Sequence, residues 1–75
     1  MAQEYRIHVQ GTISQRWTSW FDGMVIVSGQ ASDGSQFTIL RGPLTDQAAL
    51  RGILTKLWNL NLTLISVYRI ETGAQ

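Results

Sequence analysis

Residues 36–71 read Gln36-Phe-Thr-Ile-Leu-Arg-Gly-Pro-Leu-Thr-Asp-Gln-Ala-Ala-Leu-Arg-Gly-Ile-Leu-Thr-Lys-Leu-Trp-Asn-Leu-Asn-Leu-Thr-Leu-Ile-Ser-Val-Tyr-Arg-Ile-Glu71 and decide the fold class. They predict a strand over residues 36–41, a stop at Gly42-Pro43, an amphipathic helix, and a last strand over residues 62–70. The short connection after the helix predicts that the two strands run parallel, with a right-handed crossover.

The predicted helix carries start and stop signals. Thr45 is the expected N-cap, and Asp46 is well placed against the helix dipole. Apolar side chains recur at helical spacing along one stripe, namely Leu50, Ile53, Leu54 and Leu57. Asn61 is expected to take the left-handed conformation after the last turn, with Leu62 packed back on the helix.

The first half of the chain adds two strands. Residues 4–11 alternate, with Tyr5, Ile7 and Val9 on one side. Residues 24–31 form the second strand, and Asp33-Gly34 predicts a type I′ hairpin to the third. The result is an α+β fold of order βββαβ, with a mixed four-stranded sheet and one main helix on one face.

The segment between the first two strands allows an alternative fold. Trp17, Trp20 and Phe21 stand at i, i+3 and i+4, which is helical spacing. A full helix there would give a ferredoxin-like βαββαβ chain. However, a helix of about seven residues spans only ~10 Å, which is too short to retrace a strand. We therefore expect only a short helical turn in this loop.

Size and composition limit the class of protein. The 75 residues, here 1–75, are expected to form a single domain. A core this small is marginal without a staple or a partner. There is no cysteine and one histidine, so no metal site and no cofactor are expected. The net charge of +1 gives no electrostatic reason to expect nucleic acid or a membrane. No signal peptide is recognisable, and a cytoplasmic location is expected.

Several segments together resemble a family of small, uncharacterised bacterial proteins. They are Tyr5-Arg6-Ile7, Trp17-Thr18-Ser19-Trp20-Phe21-Asp22-Gly23, the run from Gly42-Pro43-Leu44 to Gly52, and Leu64-Ile65-Ser66-Val67. The chain departs from that pattern at Arg51, where the family often has histidine, and at Asn61, where it often has glycine. The resemblance implies no activity, cofactor or site.

Two groups of side chains are candidates for binding a small ligand or an anion. Arg6 and His8 lie on the polar side of the first strand, and Arg69 is expected in a neighbouring strand. Arg16 with Trp17 and Trp20 forms the second group, which is suited to stacking. Each group has a plain structural interpretation, as a solvated sheet face and as a small aromatic core.

The last strand is apolar on both sides, and one helix covers only one face of a sheet. The other face is therefore expected to mediate self-association, as a homodimer or higher homo-oligomer, or contact with a protein partner. The expected interface residues are Leu40, Ile65, Val67 and Gly52. No pair of acids and no nucleophile motif is spaced for catalysis, so no enzyme activity is expected.

Overall fold

The computed structural model describes residues 3–70. The strands are β1 (Gln3–Gln10), β2 (Val25–Gln30), β3 (Gln36–Leu44) and β4 (Thr63–Ile70), and the helix α1 spans Gln47–Asn59. Two 3₁₀ turns, Gln15–Trp17 and Ser19–Phe21, lie between β1 and β2. The α+β class and the order βββαβ are confirmed, and the ferredoxin-like alternative is not adopted. Residues 11–24, which hold both turns, are called the tryptophan loop below.

The four strands form one sheet in the order β2-β3-β1-β4, and every neighbouring pair is antiparallel. The prediction of a mixed sheet is therefore wrong. β3 and β4 do run in the same direction, as the short connection after α1 requires. They do not pair with each other, because β1 lies between them and is antiparallel to both. Local sequence patterns set the direction of a strand but do not show which strand enters between two others.

The core lies on one side of this sheet. The sheet residues that face it include Ile7, Leu40 and Ile26, which are buried and lie side by side in the register. α1 contributes Ile53 and Leu57, both buried. The tryptophan loop adds Ile13, Phe21 and Met24 to the same cluster. The tryptophan loop and α1 thus together form the layer that covers this face of the sheet.

The sequence predicted the C-terminal end of α1 correctly but missed its N-cap by one residue. The N-cap is Asp46 and not Thr45, since Asp46 Oδ1 accepts a hydrogen bond of 2.8 Å from the Ala49 N–H. The C-terminal prediction is confirmed. Asn61 has φ of +59°, and the Leu62 N–H donates to the Leu57 carbonyl at 3.2 Å, as in a Schellman ending.

The β2–β3 connection is a three-residue hairpin loop and not the predicted type I′ turn. The Gly34 N–H donates to the Ala31 carbonyl at 2.9 Å, and Gly34 alone in the loop has positive φ, at +90°. This is a type I turn followed by a left-handed glycine. β3 also continues through Pro43. β2 begins at Val25, which pairs with Arg41, so β2 does not extend alongside Pro43. There one side of β3 has no partner strand, so the missing N–H of proline is tolerated.

A β-bulge in β4 changes which side chains face the core. Val9 pairs with Leu64 while its neighbour His8 pairs with Ser66, so Ile65 is the extra residue. Leu64 and Val67 therefore lie on the same face of the sheet. Simple alternation had placed them on opposite faces, because alternation assumes an unbroken ladder.

None of the helices within residues 3–70 has the length and apolar character needed to span a bilayer.

Candidate functional site

The face of the sheet opposite α1 and the tryptophan loop is called the open face. No element of residues 3–70 packs on it. Cross-strand partners share a face, so the register places its side chains in rows. One row holds Val25, Arg41, Arg6 and Tyr68, and the next holds Val27, Ile39, His8 and Ser66. The open face thus mixes exposed apolar groups with cations.

Arg6 and Arg41 lie directly opposite each other on the two central strands, and both are exposed. Neither guanidinium has an ion pair or hydrogen bond with any other group in residues 3–70. Like charges directly opposite each other on a sheet destabilise the pairing. The pair therefore has a cost in the isolated domain, and an anion placed between the two guanidiniums would remove that cost.

Phe37 lies close to the surface of the sheet. A Cβ added at Gly29, its cross-strand partner, would meet the Phe37 ring, with Cε1 at 2.7 Å. The ring therefore extends across β2 in the space that a side chain would fill. His8 packs against it edge-on, with 4.8 Å between ring centroids. Phe37 is partly buried, and the glycine beneath it leaves the ring lying along the sheet.

The predicted ligand-binding residues do not form one site. Arg6 and His8 share the open face, as alternation along β1 predicted. Arg69 pairs with Tyr5, whose buried ring faces the core, so Arg69 lies on the other side of the sheet. Arg16, Trp17 and Trp20 belong to the tryptophan loop, also on the core side.

The tryptophan loop acts mainly as part of the core. Phe21 is fully buried, and Trp17 and Trp20 are partly buried against the cluster. The two indole rings contact each other with centroids 5.0 Å apart. Lys56 of α1 lies 5.5 Å from the Trp20 ring centre, and its Nζ donates to the Trp20 carbonyl at 2.5 Å. The indole that was a candidate stacking platform is thus occupied by the chain's own lysine.

A second exposed region lies along the outer edge of β4. A groove of about 320 Å³ between the end of α1 and this strand is called the β4 groove. It is lined by Leu54, Leu57, Trp58, Leu62, Thr63 and Leu64. Trp58 is 74% exposed and Leu64 is 43% exposed. No other strand of residues 3–70 pairs with the outer edge of β4.

The four predicted interface residues lie in different places. Leu40 is fully buried beneath the helix layer, so it is a core residue and that prediction is corrected. Val67 is opposite Ile7 and packs against the core. Ile65 is 53% exposed at the bulge, and Gly52 is exposed on the outer face of α1. The sequence located the strands correctly, but Leu40 and Val67 were assigned to the wrong face of the sheet.

Chemically reactive clusters are scarce in the described part of the chain. Residues 3–70 hold no group of three or more His, Asp or Glu side chains close enough to share a metal ion. Hydrogen bonds from the Ser35 hydroxyl and the Ser35 N–H lower the pKa of the Asp33 carboxyl. Both bonds serve the hairpin loop.

Arg41 and Phe37 are the residues of the open face that sequence reasoning missed. The sequence does contain a pattern that indicates them, because both residues alternate along β3 with Thr38 and Leu40, which are buried. What the sequence lacked was the register, which places Arg41 opposite Arg6.

Comparison with known proteins gives one family match. No curated protein and no solved structure shows significant similarity to this chain. A family model described as a domain of unknown function, DUF8691, matches residues 4–68, which include nearly all of β1 and most of β4. This agrees with the resemblance to an uncharacterised family. The chain belongs to the DUF8691 family of domains of unknown function.

Proposed function

We propose that this domain is a self-associating protein-interaction module in which a second copy adds to the outer edge of β4. Two copies related by a two-fold axis would pair their β4 strands antiparallel and continue the sheet from one copy into the other. The observation that carries the proposal is the unpaired β4 edge beside the apolar β4 groove.

The side chains along this edge support the proposal. Leu64, Ile65 and Tyr68 are exposed in β4, and Trp58 is exposed beside them on α1. Residues 63–68 contain no charged side chain and no proline. Natural edge strands are usually protected by lysine, proline or a covering element. The bulge offers some protection at Ile65, but the ladder is regular from Ser66 to Ile70.

The other edge of the sheet is less suited to pairing. Gln15 in the tryptophan loop donates from Nε2 to the Ile26 carbonyl of β2 at 2.6 Å. That carbonyl already has a side-chain partner. β2 is also shorter than β4, with six residues against eight. A second copy would have to displace Gln15 there, so β4 is favoured.

Stacking of two copies through the open face, which the sequence suggested, is less favourable. Arg6 and Arg41 lie in an inner row of that face. Stacking would take two unpaired guanidiniums per copy out of water, which costs several kcal/mol per ion unless each finds a carboxylate. Edge pairing leaves both arginines in solvent.

Light scattering over a dilution series tests the proposal with two matched variants. Leu64→Lys places a charge in the β4 groove, and Val27→Lys places the same charge on the open face. Their side chains are similarly exposed, at 43% and 40%. We expect a dimer for the wild type and for Val27→Lys, and a folded monomer for Leu64→Lys.

Trp58→Gln is a second variant, chosen because an indole that is 74% exposed has little to do with folding. It should weaken the dimer without changing the circular dichroism spectrum. A wild type that stays monomeric at every concentration would contradict the proposal. Dissociation of the Val27→Lys protein with an intact Leu64→Lys dimer would move the interface back to the open face.

A further inference from the structure

We propose that the open face binds single-stranded nucleic acid, with a phosphate held between Arg6 and Arg41 and bases stacked on Phe37 and Tyr68. This inference uses the open face, which shares only Tyr68 with the β4 edge, and does not depend on self-association. In an edge-paired dimer the two open faces would lie side by side.

The arginine pair supplies the phosphate contact. Arg6 and Arg41 are direct cross-strand partners, which places their Cβ atoms about 5 Å apart. Both guanidiniums can therefore reach the same anion. Neither has a partner among residues 3–70, so no existing ion pair has to break first. Bidentate contact with phosphate oxygens is the geometry that arginine favours.

The aromatic side chains supply the stacking surfaces. Tyr68 is 56% exposed and lies beside Arg6 in the same row. The Phe37 ring extends over Gly29, and His8 holds it edge-on. Phe37 is partly exposed on this face, and an aromatic ring at a sheet surface can stack with a base. Four-stranded sheets that bind single-stranded RNA use aromatic rings on their surface in this way.

The spacing favours a single strand over a duplex. The row that holds Arg6 is separated from the row that holds Phe37 by four residues along β1, or about 13 Å. An extended strand can contact both rows in succession. The bases of a duplex are paired and stacked on each other, so their faces are not free to stack on the Phe37 and Tyr68 rings.

The net charge of the whole chain had argued against nucleic acid, but the charges are not evenly placed. Asp22 and Asp33 lie in loops, and Asp46 caps α1. Among the described residues, Glu4 is the one carboxylate on the open face. The face is therefore locally cationic. An acidic peptide would also be drawn to the arginines, but it would make no use of the aromatic rings of Phe37 and Tyr68.

Fluorescence anisotropy with labelled oligothymidylate and oligouridylate tests the proposal at several salt concentrations. We expect saturable binding that weakens as salt rises. Arg6→Ala and Arg41→Ala should each weaken binding about tenfold. Each should also reduce the slope of log K against log salt by about 0.7. Phe37→Leu and Tyr68→Leu should weaken binding about fivefold or more without changing that slope.

Arg51→Ala is the matched control, because it removes the same charge from the exposed outer face of α1. It should leave the affinity unchanged. The Leu64→Lys monomer should still bind, which separates this proposal from self-association. Absence of saturable binding, or an Arg51→Ala effect as large as that of Arg6→Ala, would overturn the proposal. Equal binding of a duplex or of polyglutamate would overturn it in favour of a general anion site.

Discussion

The ring of Phe37 fills the space above Gly29 on the neighbouring strand, where a side chain would otherwise lie. Gly29 has no positive φ, so its backbone does not require glycine. The requirement comes from the ring. An aromatic residue that covers a cross-strand glycine shields backbone that glycine leaves bare.

Gly29→Ala should therefore destabilise the wild type but not a Phe37→Ala variant. In the wild type the new methyl group forces the ring away from β2, with an expected cost of about 1 kcal/mol. Without the ring, alanine should be neutral or stabilising by about 0.5 kcal/mol. Urea denaturation of the four proteins of this double-mutant cycle gives the coupling energy. A coupling near zero would show that Phe37 and Gly29 act independently.

Asp46→Ala should cost about 1 kcal/mol of stability, because it removes the acceptor for the Ala49 N–H. Thr45→Ala is the control, since Thr45 is exposed and is not the cap. It should change the free energy of unfolding by less than about 0.5 kcal/mol. Thermal denaturation followed by circular dichroism compares the two. A larger loss of stability for Thr45→Ala than for Asp46→Ala would show that Thr45 is the N-cap, as the sequence predicted.

Thr38→Val should cost about 1–3 kcal/mol, although it preserves the shape of the side chain. Thr38 is fully buried, and its Oγ1 donates to the Gly11 carbonyl at 2.7 Å and accepts from the Ile13 N–H at 3.2 Å. Valine would leave two backbone groups without this partner. Thr12→Val removes an exposed hydroxyl, bonded to Gln36 Oε1, and should have little effect. Equal losses for both would contradict a special role for the buried hydroxyl.

The pKa of the Asp33 carboxyl should lie below its ordinary value, because the Ser35 hydroxyl and N–H both donate to its Oδ1. A lowered folded-state pKa means that this stabilisation is present above the ordinary value and is lost as the pH falls through the folded pKa. An NMR titration of the carboxyl carbon measures the midpoint. Ser35→Ala should raise it, and Ser32→Ala should leave it unchanged. An identical midpoint in all three proteins would refute the role of Ser35.

The sequence correctly predicted the features that depend on residues close together in the chain. The stripe that includes Ile53 and Leu57 and the left-handed Asn61 are properties of one helix and its end. The N-cap was missed by one residue, because Thr45 and Asp46 are both residue types that favour the N-cap position. The choice of a helical turn over a full helix before β2 rested on chain reach, which is also a local quantity.

Non-local relationships were beyond the sequence. Insertion of β1 between β3 and β4 made the sheet fully antiparallel, and the bulge at Ile65 moved Val67 to the core face. Leu40 was assigned to an interface because alternation along β3 does not show which side of the strand meets the helix layer. On the open face, alternation along β1 predicted the positions of Arg6 and His8. The position of Arg41 opposite Arg6 could be seen only from the β1–β3 register.

The pairing of Glu4 with Ile70 brings the beginning of β1 and the end of β4 side by side. Gln3 and Ile70 therefore lie at the same corner of the domain. A short linker joining these two points would permit a circular permutant that opens at the exposed Ser32–Gly34 hairpin loop. In such a chain β4 and β1 would become a hairpin, and the pairing of β1 with the edge strand β4 would change from the most distant contact in sequence to a local one.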